Sequence, residues 1–141
     1  YDEPFSKDIH GYNFNNDYLV DLIDNFDENS FNNTNYIENT ANKIIYTAAL
    51  RIWIEKQFYD ISNNDQSLHE KEFGPKIKYM FEGSRWTGSS KVTKEYLMSK
   101  KVMLNQHIHQ KSQEMPFYFA LNLSLDDVAK EIIDIKEHFI N

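Results

Sequence analysis

Between Ile37 and Ile61 apolar residues return at steps of three and four, the signature of a helix with one apolar face. Turning the chain by about 100° per residue gathers Ala41, Ile44, Ile45, Ala48, Ile52, Phe58 and Tyr59 into one arc. Arg51 and Glu55 fall inside that arc, one turn apart. A second long period runs from Lys91 to Lys111 and gathers Leu97, Met98, Val102, Leu104 and Ile108. Lys101, Asn105 and His109 lie within this second arc at steps of four. A charge left alone in a core costs several kcal/mol. The two polar rows are therefore expected to meet, forming a buried or cleft-lining cluster between the helices.

Shorter elements fill the rest of the chain. Tyr18, Leu19, Leu22, Ile23 and Phe26 mark a short helix that Asn15 or Asn16 can cap. The polar run 27–35 reads as a loop, and the long helix then extends from about Asn35 to Ile61. A helix or pair of helices is expected over 67–81, with Pro75 suited to a first turn. A Gly/Ser loop covers 82–90, and Ser90 is placed to cap the basic helix that follows. Met115-Pro116 interrupts the chain before 117–123, the single β-rich run, which could equally extend a helix. Ser124 stands three residues before Asp127, a capping-box spacing, ahead of Leu125, Val128, Ile132, Ile135 and Phe139 at helical period. The expected fold is all-α, an up-and-down bundle of about five helices. Residues 1–35 form an acidic lead-in with one short helix, and 36–141 form the bundle. The two make one domain.

Composition narrows the function classes. The 141 residues include no cysteine, which excludes a disulfide framework, a thiolate metal site and a cysteine nucleophile. No apolar run is long enough to span a membrane and no signal peptide is visible, so the expected setting is cytoplasmic. The first residue is Tyr1, and the chain reads as part of a longer protein. The net charge of −7 is unevenly spread. Residues 1–40 carry one lysine against nine acids, whereas 85–111 carry six basic residues against one acid. The overall sign opposes non-specific coating of nucleic acid, while the basic segment offers a local phosphate-binding surface.

Familiar catalytic signatures are missing: there is no Gly-rich phosphate loop, no nucleophile elbow and no paired-histidine zinc helix. His107 and His109 stand two apart, so on a helix they point in different directions and do not share a metal. No cofactor is implied. His109 has Asn105 and Lys101 at successive turns before it, a row able to supply an acid/base imidazole, an orienting amide and a cation for an oxyanion. The competing reading is a core histidine bonded to Asn105 or Glu55, with Lys101 reaching outward. Trp53 and Trp86 read as packing or interface residues, Trp86 being the better placed for contact because it lies in the Gly/Ser loop.

The stretch Ala49-Leu50-Arg51 with Glu55, followed by Leu104-Asn105 with His109, resembles the HEPN superfamily over roughly residues 36–140. It is similar to HEPN-like domains at the C-terminal ends of larger ATPases in phage-defence and abortive-infection systems. That resemblance implies an all-α bundle that commonly forms a homodimer and works beside an ATPase region of the same or an associated protein. Active members are metal-independent ribonucleases in which the ribose 2′-hydroxyl attacks the adjacent phosphate. Carried over, His109 is the acid/base group, Asn105 the polar residue between, and Lys101 the phosphate-stabilising cation, with Arg51 and Glu55 in support. Lys101 stands where relatives of this subgroup often have Arg, and Lys lacks the bidentate guanidinium grip on phosphate. Its separation from His109 also exceeds that of the nuclease motif. The expected function is therefore a module that dimerises or links a larger protein to a partner. A ribonuclease acting on RNA through His109 is the alternative, and an unrelated helical interaction domain the third.

Overall fold

The computed structural model describes residues 12, 14–27, 29–31, 36–63, 65–105 and 124–140. They form six α-helices and, among the described residues, no strand. A 3₁₀ turn, Phe14–Asn16, leads into α1 (Asp17–Asp24). The long helix α2 (Tyr36–Ile61) is followed by the single turn α3 (Gln66–His69) and by α4 (Phe73–Glu82). Then come α5 (Lys94–Asn105) and α6 (Leu125–His138). The segment 117–123 lies outside the described residues.

Helix α2 is the centre of the molecule. It packs against α1, α5 and α6, and α4 packs against α5. Nine consecutive residues, Thr47 to Glu55, are buried. Such a run covers every side of a helix, so the middle of α2 is enclosed by neighbours. The single apolar arc read from the sequence is thus too narrow a description. Ala41 is exposed and Ile44 and Ile45 are half-buried, because only the middle of α2 is wrapped all round.

Polar bonds fix the outer helices on this centre. Trp53 donates its indole N–H to Asp24 at 2.8 Å, tying α2 to the end of α1. Lys136 on α6 donates to the carbonyls of Ile23 and Asp24 at 2.7 and 3.2 Å. An ammonium there satisfies terminal carbonyls and complements the negative end of the α1 dipole. Tyr96 and Lys100 on α5 bond Asp134 and Glu131 on α6 at 2.6 and 2.7 Å.

Local start signals met mixed outcomes. Ser124 and Asp127 form a complete capping box, with the Ser124 hydroxyl accepting from Asp127 N at 3.0 Å. Asn16 occupies the cap position of α1 without a side-chain capping bond, because a 3₁₀ turn leads the chain in. Ser90 does not cap the basic helix, which starts later. Thr93 does so, accepting from Tyr96 N at 3.0 Å. The intervening turn buries Val92 and Ser89. Trp86 is turned inward: it stacks on Phe81, meets Phe58 and Phe139 edge-on, and bonds the Ser89 carbonyl at 2.9 Å. Its apolar surface is therefore used in packing within the chain.

Candidate functional site

Arg51 and Glu55 are each 2% exposed, at the enclosed middle of α2. Arg51 Nη1 lies 2.7 Å from Glu55 Oε2, an ion-pair contact out of line for a hydrogen bond. The other carboxylate oxygen of Glu55 accepts from Lys76 of α4, itself buried. The Arg51 guanidinium also lies over the Phe73 ring, 5.8 Å from its centre. Burial holds the Arg51 pKa below its ordinary value, and the charge of Glu55 opposes that shift. One carboxylate thus serves two cations from two helices, in surroundings where each charge needs the others. The cation from across the interface is Lys76, which the sequence reading missed. Its position in a short helix with mixed periodicity gave no sign of burial.

The expected meeting of Arg51 and Glu55 with the row Lys101, Asn105 and His109 has a different outcome for each member. Lys101 is half-buried and keeps to the outside of the α4–α5 contact, against Gly74. Glu55 is already occupied by Arg51 and Lys76. Asn105 ends α5, but its side chain lies outside the described residues, as do His107 and His109.

Lys101 opens onto a groove of about 620 Å³ between α4 and α5. Lys71, Lys78 and Arg85 line it too, with Glu82 as the single acid among the described residues. Glu82 is paired with Lys94 at 3.2 Å. Among the described residues, none of the four groove cations has a carboxylate in ion-pair contact.

Glycines at both ends of α4 make room for two of these cations. A Cβ at Gly74 would lie 3.1 Å from Lys101 Nζ, and one at Gly83 would lie 1.6 Å from Arg85 Nη1. Arg85 is held further by stacking over the Tyr79 ring at 3.8 Å and donating to the Tyr79 carbonyl at 3.0 Å. Lys71 also lies over that ring, at 5.1 Å. The Tyr79 hydroxyl donates to Asp65 at 2.7 Å, which lowers the Asp65 pKa and raises that of Tyr79. The result is an anchored guanidinium with three lysines on a groove wall, suited to binding anions.

Among the described residues no group of three His, Asp or Glu side chains is placed to hold a metal ion. No helix among them is long and apolar enough to cross a membrane. No protein-family model, curated protein or solved structure matches the chain.

Proposed function

We propose that the chain is a HEPN-like helical module of a larger protein, dimerising or linking that protein to a partner, in a phage-defence setting. One observation carries this reading: the polar centre of α2 is closed. Arg51, Glu55 and Lys76 are buried and directed at one another. Polar groups enclosed in this way specify how helices pack, as buried ionic groups do in some helical assemblies. Catalysis would require them to reach a substrate. Among the charges that solvent can reach, Lys78 and Arg85 line the α4–α5 groove, where binding is the simplest use of them.

Sedimentation of the purified chain over a range of concentrations tests the module reading. A reversible dimer is the expected species. A chain that stays monomeric throughout and cleaves RNA would overturn the reading.

The second reading, a metal-independent ribonuclease, draws support from Lys101, which the structure sets at the edge of the basic groove on the same helix as Asn105. In that reading Lys101 stabilises charge developing on the phosphoryl oxygens and His109 moves the proton. Its signature is RNA cleavage in the presence of a chelator, abolished by His109→Ala and little changed by His107→Ala.

A further inference from the structure

We propose that the α4–α5 groove docks a linear acidic segment of a protein partner, one in which carboxylates flank an apolar side chain. The inference deepens the linking role and rests on it. Three observations carry it: the placement of the cations, the apolar surface between them, and the covering of the Tyr79 ring by two of them.

The cations do not converge on one point. Lys101 is seated at Gly74, at the start of α4, and Arg85 at Gly83, just past its end. A ten-residue helix is about 15 Å long. Charges set along that length suit an extended ligand rather than a single compact anion. An extended peptide covers the distance with about five residues. Between the charged ends, Pro75 and Met98 supply apolar lining, on which an aliphatic side chain loses water favourably.

A nucleic-acid strand would match the charges but not the rest of the groove. Single strands are held by stacking their bases on exposed aromatic rings. Among the described residues Tyr79 is the one aromatic residue lining the groove, and Arg85 and Lys71 both lie over its ring. A long polyanion would also meet the field of a chain whose net charge is −7. A short acidic segment meets mainly the four local cations, because screening at physiological salt limits reach to about 8 Å.

The test is fluorescence anisotropy of the full chain with a short labelled peptide in which glutamates flank one leucine. Binding that weakens with salt is expected, and the same peptide with glutamine for glutamate should not bind. Lys78→Glu combined with Arg85→Glu should weaken binding by roughly tenfold or more. Gly83→Ala should weaken it several-fold by moving the Arg85 side chain off its seat. Lys130→Glu, on the exposed surface of α6, should leave it unchanged. Circular dichroism of each variant confirms that the helices are intact. Equal binding by the double variant, equal binding of the glutamine peptide, or no binding of the glutamate peptide would overturn the proposal. So would tighter, groove-dependent binding of inorganic triphosphate or of a short single-stranded RNA, either of which would make this a phosphate site. Sedimentation and RNA cleavage report on the module reading separately from this result.

Discussion

At the scale of residues, the arrangement around Glu55 makes an asymmetric prediction. Glu55→Ala would leave Arg51 and Lys76 buried together without their shared carboxylate, and should cost about 3–5 kcal/mol. Lys76→Met removes one cation, keeps the volume and leaves a matched Arg51–Glu55 pair. It should cost about 1 kcal/mol or less. Urea unfolding of the two variants measures the difference, and equal losses would contradict this account. Asp65 makes a second prediction. Its folded pKa is lowered, first by the Tyr79 hydroxyl bond, so its contribution is present above its unfolded pKa and is lost as pH falls through the lower folded value. Asp65→Asn should therefore be less stable than wild type near neutral pH, and the gap should close once both folded and unfolded carboxyl groups are protonated. Urea unfolding at neutral and strongly acidic pH checks this. The sequence made the importance of Arg51 and Glu55 legible, since charges at steps of four within an apolar stretch need partners. It did not disclose Lys76, because choosing between Lys76 and Lys78 as partner depends on how α4 is rotated against α2. That rotation is a tertiary fact.

At the scale of elements, signals carried by near neighbours in the chain were the readable ones. Ser124 and Asp127 form the capping box that their spacing predicts, since such a box involves only residues three apart. Ser124→Ala should cost about 1 kcal/mol, read as a lowered urea midpoint with an unchanged slope. The start of α5 was misplaced because Ser90 and Thr93 are both acceptable caps. The choice fell to Thr93 once Val92 and Ser89 were buried in the preceding turn. The periodic arc drawn on α2 was incomplete for a related reason. A helix surrounded in its middle and open toward its start has no single face, and no wheel drawn from one sequence shows where the neighbours lie.

At the scale of the whole molecule, the all-helical fold was legible because long apolar periods of three and four outnumbered strand-like runs. The groove was not, because Lys71, Lys78, Arg85 and Lys101 come from a connecting turn, two helices and a loop, and only packing assembles them. The basic stretch 85–111 pointed to the neighbourhood, but half of the groove cations lie outside it. On the proposed reading, the enclosed polar centre holds the helices together and the work of the chain is binding rather than catalysis. The most direct test is incubation of the purified chain with labelled RNA in the presence of a chelator, with His109→Ala in parallel. Intact RNA is expected with both proteins. Cleavage by the wild type that disappears in the His109→Ala variant would contradict it and establish the nuclease reading.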